Sequence, residues 1–118
     1  MKLIPLFIFV ASVLPLSVKA EGEIIKNLEI KFIRVVGDYS PNTTHDGTVE
    51  LHFTHPITWG STSTCIDPNR VIIDAKQTHL VSSAYMAYAS NMKININVNT
   101  VLPVRGGICE IAYLDVLK

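Results

Sequence analysis

The sequence predicts a mainly β domain with one helix. Apolar and polar residues alternate with a period of two in several short segments, which is typical of strands buried on one face. One segment, residues 79–90, places apolar residues at intervals of four, as an amphipathic helix does. The whole chain has 118 residues, which is the usual length of one domain.

The first twenty residues have the layout of a secretory signal peptide. Lys2 gives a positive start, an apolar run of about 14 residues follows, and Val18 and Ala20 precede the expected cleavage point. A membrane-spanning helix needs about 20 apolar residues, and no second long apolar run follows. We therefore expect residues 1–20 to be removed. Residues 21–118 should form one small exported domain, periplasmic or secreted, without a membrane span.

Composition and charge limit the classes of partner that the protein is expected to bind. Hydrophobic residues make up 48% of the chain and charged residues 17%, which disfavours a disordered chain. After removal of residues 1–20, eight basic side chains remain beside ten acidic ones, a formal charge of −2. A nucleic-acid-binding domain needs a basic surface, so we expect no nucleic-acid partner.

Two cysteines, Cys65 and Cys109, both lie in the exported part. An even number of cysteines in a small exported domain indicates a disulfide. Closing a loop of this length stabilises a domain by about 4 kcal/mol in the chain-entropy model. The two cysteines are far apart and form no CxxC motif, which argues against a zinc site. We expect a Cys65–Cys109 disulfide and no metal or other cofactor.

Three strands are expected before the helix. Residues 28–36 predict a long bent strand whose alternation slips near Phe32 and Ile33, where a β-bulge is expected. Residues 48–54 and 71–73 form the next two strands, separated by polar loops. In the strand 48–54 the apolar residues are expected inside and their neighbours outside: Val49, Leu51 and Phe53 against Glu50, His52 and Thr54.

The helix and two further strands complete the expected domain. Thr78 is expected to cap the helix 79–90, and Asn91 to end it in a left-handed conformation. Strands 92–98 and 108–117 follow. The buried residues are expected to be Leu80, Ala84 and Tyr88 of the helix, with part of Val81 and Tyr85, and Met92, Ile94, Ile96 and Val98 of the next strand.

The resulting order is strand, strand, strand, helix, strand, strand. This order predicts a five-stranded, partly open barrel of the oligonucleotide/oligosaccharide-binding (OB) type. The alternative is an open antiparallel sheet with one helix covering a face. Hydrophobic periodicity does not distinguish the two.

The segment 65–116 resembles a known group of proteins. It contains the helix HLVSSAYMAYASN, the strand MKININV and a late cysteine in GGICEIAYLDV. This arrangement resembles small exported bacterial proteins of similar length. More distantly, it is similar to the OB-like binding (B) subunits of subtilase-cytotoxin-like and pertussis-like toxins, which form rings and bind host glycans. The resemblance implies export and a fold, and it assigns no residue of this chain to a glycan site.

The sequence lacks the patterns of the common small hydrolases. It has no GxSxG elbow of a serine hydrolase. Its acidic residues are expected mostly on exposed strand faces and in turns, which disfavours the facing carboxyl pair of a glycosidase. The four histidines, among them His52 and His55, are expected to be solvated rather than bound to a metal. We therefore expect that the protein is not an enzyme.

Four residues are candidates for ligand binding. Trp59 lies in a polar loop, where an indole can stack on a sugar or anchor a partner; a single tryptophan in a small domain is more often part of the core. Asn95, Asn97 and Asn99 lie on one side of one strand. Their amides can donate and accept hydrogen bonds with sugar hydroxyls, and a solvated sheet face shows the same pattern.

These observations together predict a small secreted or periplasmic binding or interaction module. Its partner is expected to be a glycan or a protein, as for a toxin B subunit, and a homo-oligomer is compatible with the sequence. The alternative is an exported enzyme inhibitor or a small hydrolase.

We expect the exported protein to begin at Glu21. Signal peptidase cleaves after a small residue that follows the apolar segment, and Ala20 is that residue. N-terminal sequencing of protein recovered outside the cytoplasm measures the cleavage point, and Ala20→Arg is the variant expected to block it. An exported chain that begins at Met1 would contradict the signal peptide.

Overall fold

The computed structural model describes residues 22–38, 45–99 and 101–118. These residues form two three-stranded sheets, a two-stranded ribbon and one helix, which confirms the mainly β fold with one helix. The strands are β1 (Glu23–Leu28), β2 (Ile30–Val36), β3 (Thr48–Phe53), β4 (Arg70–Asp74), β5 (Ile94–Val98), β6 (Val104–Arg105), β7 (Ile108–Cys109) and β8 (Ile111–Val116). The helix α1 (Thr78–Ala89) lies between β4 and β5.

The two sheets are antiparallel and open. One has the strand order β1-β5-β8 and the other the order β2-β3-β4, and β6 pairs with β7 in the ribbon. In the described part of the chain, an isolated parallel bridge between Ile72 of β4 and Glu110 links the two sheets. Their hydrogen bonds therefore do not close the five-stranded barrel that the strand order predicts.

The predicted strand 28–36 is divided between the two sheets. β1 ends at Leu28, Glu29 belongs to neither strand, and β2 begins at Ile30. Asn27 has a φ of 59°, in the left-handed region that asparagine tolerates better than most residues. The register of β2 against β3 shifts between Ile30 and Phe32, next to the position where the alternation predicts a bulge.

The core collects apolar side chains from both sheets and the helix. Leu28 and Ile30, on either side of the crossing at Glu29, are both buried in it. Val49, Leu51 and Phe53 of β3 are buried as predicted. The other buried members include Val71, Ile73, Leu80, Ala84, Ala87, Ile94, Ile96, Val98 and Ile111.

The helix is confirmed, but two details of its prediction are wrong. Its N-cap is Gln77, with no side-chain hydrogen bond, so Thr78 is the first helical residue and not the cap. Tyr88 is 45% exposed, and Ala87 is buried in its place. Ala87 is seven residues after Leu80, which is almost two full helical turns, so both side chains lie on the same face of the helix. Tyr88 is eight residues after Leu80 and is therefore rotated away from that face.

The end of the helix and the following strand agree with the sequence except at one position. Asn91 has a φ of 58°, the left-handed stop that was predicted. Ile94, Ile96 and Val98 are buried as expected, and Met92 is partly buried. Asn97, expected outside with the other two asparagines, is only 8% exposed. A Cβ atom on Gly22 would overlap the Asn97 amide, so the Gly22 backbone covers this side chain.

The predicted last strand, 108–117, is two strands. β7 pairs with β6, and the turn between them is formed by Gly106 and Gly107, which both have positive φ. β8 pairs with β5 in the first sheet. Cys109 of β7 forms the predicted disulfide with Cys65, with an S–S distance of 2.09 Å and a Cα–Cα distance of 5.5 Å. The disulfide thus ties the loop between β3 and β4 to the ribbon.

No helix among residues 22–38, 45–99 and 101–118 has the length and apolar character needed to cross a membrane.

The central strand of the first sheet supplies a direct test of the core. Ile96 of β5 is fully buried between β1 and β8, so Ile96→Ala should lower the free energy of unfolding by about 2–5 kcal/mol through the cavity that it leaves. Val35→Ala is the control, since Val35 is 65% exposed, and should change stability by less than about 0.5 kcal/mol. Urea denaturation followed by circular dichroism measures both, and equal losses would contradict this core.

Candidate functional site

A buried carboxylate lies on the face of β3 that points away from the core. Glu50 is aligned with Arg34 of β2 on one side and Ile72 of β4 on the other. It is only 2% exposed, so the prediction that it is solvated is wrong. β3 is the central strand of its sheet, and side chains from both neighbouring strands lie over its outer face.

The β6–β7 ribbon covers the β4 side of the same face. Arg105 Nη2 is 3.2 Å from Asp74 Oδ2 and 3.1 Å from Glu110 Oε2. Glu110 is buried and bridged to Ile72, which is fully buried. These ion pairs dock the ribbon on the sheet and explain why alternation along β3 and β4 does not give an exposed face.

Four cationic or imidazole groups surround the Glu50 carboxylate, and together they form what we call the Glu50 cluster. His52 Nε2 lies 2.8 Å and Arg70 Nη1 3.0 Å from Glu50 Oε1. Arg34 Nη1 lies 3.5 Å from the same oxygen, and His45 Nδ1 lies 3.6 Å from Glu50 Oε2.

A second acidic residue is attached to the Glu50 cluster through Arg70. Arg70 Nε donates to Asp67 Oδ2 at 2.9 Å, while its Nη1 donates to Glu50. Arg70 therefore bridges two carboxylates, one on β3 and one in the preceding loop. A guanidinium is suited to this role because its N–H groups point in several fixed directions.

The surroundings of Glu50 favour its ionised form. Burial acts to raise the pKa of the Glu50 carboxyl, but hydrogen bonds from His52 and Arg70 and the charges of these groups outweigh burial. The pKa of Glu50 is consequently lowered. The pKa of Asp67 is also lowered: burial opposes ionisation, and the Asn69 backbone N–H and Arg70 more than compensate.

An aromatic stack extends the Glu50 cluster towards solvent. The Phe32 ring stacks on the His52 ring with centroids 4.1 Å apart and an interplanar angle of 17°. The Arg34 guanidinium lies over the Phe32 ring, 5.6 Å from its centroid. Next to this stack is an open cavity of about 320 Å³ whose lining includes Arg34, His45 and Glu50.

The Glu50 carboxylate is suited to hold cationic groups and not to donate a proton. A carboxyl group whose pKa is lowered is ionised at neutral pH and cannot act as a general acid. Within the described residues, no group of three histidine, cysteine or acidic side chains is arranged to hold a metal ion.

The structure separates the four residues that the sequence proposes for ligand binding. Asn95 Oδ1 accepts a hydrogen bond from the Asn27 backbone N–H at 3.0 Å, so it supports the left-handed turn at the end of β1. Asn97 is buried against Gly22. Trp59 is half-buried against the core, and its indole N–H donates to the Asp67 carbonyl at 2.8 Å.

Asn99 lies in a different setting, in the wall of a cleft of about 260 Å³ whose lining is partly polar and partly apolar. Glu23, Gly60, Thr62, Ser63 and Thr64 also line this cleft, and the Cys65–Cys109 disulfide forms part of its wall. Glu23 Oε2 accepts the Gly60 backbone N–H at 2.6 Å, which attaches the loop after Trp59 to β1. The cleft therefore combines hydroxyl, amide and carboxylate groups from three segments of the chain.

No protein-family model, curated protein or solved structure matches this chain.

Sequence reasoning missed the Glu50 cluster because its members come from four segments. The alternation of β3 places Glu50 and His52 on one face, and this was visible in the sequence. The partners Arg34 and Arg70 are 16 and 20 residues away from Glu50, and only the strand pairing brings them to it.

The lowered pKa of Glu50 predicts a loss of stability in acid. A carboxyl group whose pKa is lower in the folded than in the unfolded state stabilises the fold above its unfolded pKa, and this stabilisation is lost as the pH falls through its folded pKa. The free energy of unfolding should therefore fall below about pH 4.5, the ordinary pKa of a glutamate. Urea denaturation between pH 7 and pH 2.5 measures this fall.

Glu50→Gln should lower stability by about 3 kcal/mol at pH 7, because it leaves buried partners without their charge, and should flatten the acid limb of the curve. Glu29→Gln, which changes an exposed carboxyl, is the control and should keep the wild-type limb. An unchanged limb in Glu50→Gln would show that Glu50 does not carry this dependence.

Proposed function

We propose that this protein is a small exported binding module that takes a glycan in the cleft next to the disulfide. The observation that carries the proposal is the convergence of Glu23, Thr62, Ser63, Thr64 and Asn99 on one cleft. Sugars are bound by side chains that donate and accept hydrogen bonds with hydroxyl groups. A cleft rich in hydroxyl and amide groups fits a sugar better than an apolar cleft or a strongly charged cleft would.

Export is supported by the disulfide and by the N-terminal sequence. Disulfides persist in oxidising compartments, and Cys65 and Cys109 form one. In this proposal residues 1–20 direct export and residues 21–118 act in the periplasm or outside the cell. The resemblance of segment 65–116 to small exported bacterial proteins and toxin B subunits points the same way.

An OB-like architecture is also part of the proposal. β1 and β2 correspond to one bent first strand, and β3, β4, α1, β5 and β8 follow in the expected order. The parallel bridge between Ile72 of β4 and Glu110, the residue before β8, brings the third and last strands of this order close together. OB folds bind oligosaccharides and oligonucleotides, and the acidic balance of the exported chain favours the former.

A protein partner is the second candidate ligand. The helix α1 has no acidic or basic residue apart from His79, and it exposes Tyr85, Met86 and Tyr88. Aromatic and methionine side chains are enriched at protein interfaces.

A glycan array probed with the exported protein, followed by calorimetry on the sugars retained, tests the proposal. Asn99→Ala should weaken binding by about three- to tenfold, which corresponds to the loss of one or two neutral hydrogen bonds. Asn69→Ala is the control, since it removes an exposed amide outside the cleft lining. Absence of binding on the array, or equal weakening by both variants, would contradict a glycan site in this cleft.

A further inference from the structure

Glu50 holds Arg34 only loosely. Arg34 Nη1 lies 3.5 Å from Glu50 Oε1, longer than the usual hydrogen-bond distance of about 2.7–3.2 Å. His52 and Arg70 reach the same oxygen at 2.8 and 3.0 Å. Arg34 can therefore turn towards another acceptor while Glu50 keeps its two shorter hydrogen bonds.

The Arg34 guanidinium is also accessible and held in place. Its side chain is 55% exposed, and Glu50 is its ion-pair partner among the residues that the structure describes. Most of its N–H donors therefore face no acceptor from this part of the chain. The ring of Phe32 lies beneath it, supported in turn by His52, and a guanidinium stacked on an aromatic ring is held at little further cost in entropy.

The cavity next to Arg34 has a mixed lining. Val35, Val36 and Gly37, at the end of β2, line it together with Arg34, His45 and Glu50. Val36 is partly buried and lies on the same face of β2 as Arg34. The cavity lining thus combines the Arg34 guanidinium with apolar surface.

We propose that this cavity binds a small organic carboxylate with a short hydrocarbon part. The two carboxylate oxygens would accept parallel hydrogen bonds from Arg34, the pairing for which a guanidinium is shaped. The hydrocarbon part would lie against Val36, which is on the same face of β2 as Arg34. This site shares no residue with the glycan cleft, so it is a second binding site and does not depend on the first.

The charge of the Glu50 cluster selects a monoanion. Glu50 and Asp67 are balanced by Arg34 and Arg70, so the cluster has no excess of positive charge when its histidines are neutral. The ionised Glu50 repels a dianion such as sulfate about twice as strongly as it repels a monocarboxylate at the same distance. A planar monocarboxylate can accept two parallel hydrogen bonds from the Arg34 guanidinium, and it adds only one negative charge to the Glu50 cluster.

NMR titration of the ¹⁵N-labelled exported protein with butyrate tests the site. Butyrate should shift the amide signals of residues 34–37 in a saturable way, with a dissociation constant on the order of millimolar. Butyramide has the same shape without the charge and should bind at least about tenfold more weakly. Acetate, which lacks two methylene groups, should bind several-fold more weakly than butyrate.

Variants identify the group responsible. Arg34→Gln should weaken butyrate binding by about tenfold or more, and Arg34→Lys, which keeps the charge but loses the fork, should weaken it several-fold. Lys31→Gln is the matched control, because it removes one positive charge from the other face of the same strand, and should leave binding within about twofold. The urea midpoint of each variant reports that its fold is retained.

Four outcomes would overturn the proposal: equal binding of butyramide, shifts of similar size with sulfate, unchanged binding in Arg34→Gln, or an equal loss in Lys31→Gln. Equal binding of butyramide would show that the site does not recognise the carboxylate charge. Similar shifts with sulfate, or an equal loss in Lys31→Gln, would show that surface charge attracts any anion. Asn99→Ala should leave butyrate binding unchanged, so a failure of the glycan cleft and a failure of this site are distinguishable.

Discussion

The domain depends on the change of direction that the chain makes at Glu29. A single residue outside regular structure separates β1 from β2, and each of these strands is the first strand of its own sheet. Leu28 and Ile30 are both buried, so the chain crosses between the sheets without leaving the core. The left-handed Asn27 and the hydrogen bond that its backbone N–H donates to Asn95 Oδ1 hold this crossing in place, and one core can then be shared by both sheets.

Burial of charge on the outer face of β3 follows from its central position. Four neighbouring side chains, Arg34, His45, His52 and Arg70, lie against the Glu50 carboxylate, and Arg70 also pairs with Asp67. Removing a carboxylate from water is costly unless it is paired and hydrogen-bonded. The lowered pKa of Glu50 shows that its partners more than compensate for this cost. The same arrangement leaves Arg34 only loosely engaged, at 3.5 Å from Glu50 Oε1.

The disulfide has a local role in addition to the usual stabilisation of a small domain. It attaches the loop between β3 and β4 to the β6–β7 ribbon. The cleft that Asn99 lines lies next to the disulfide. Hydroxyl groups on a loop are useful for binding only when the loop is held, since ordering it would otherwise oppose binding. The Glu23 carboxylate holds the same loop from the side of β1.

The sequence by itself determined the mainly β fold with one helix, the left-handed stop of that helix at Asn91, the buried apolar residues of β5 and the pairing of the two cysteines. Local periodicity, turn chemistry and the parity of cysteines are properties of short segments, so they can be read without knowing what lies opposite. Only the tertiary structure decided the burial of Glu50 and Asn97, the exposure of Tyr88 and the division of the strands 28–36 and 108–117. Alternation says which residues share a face, but whether that face meets water depends on strands and loops brought to it from distant parts of the chain.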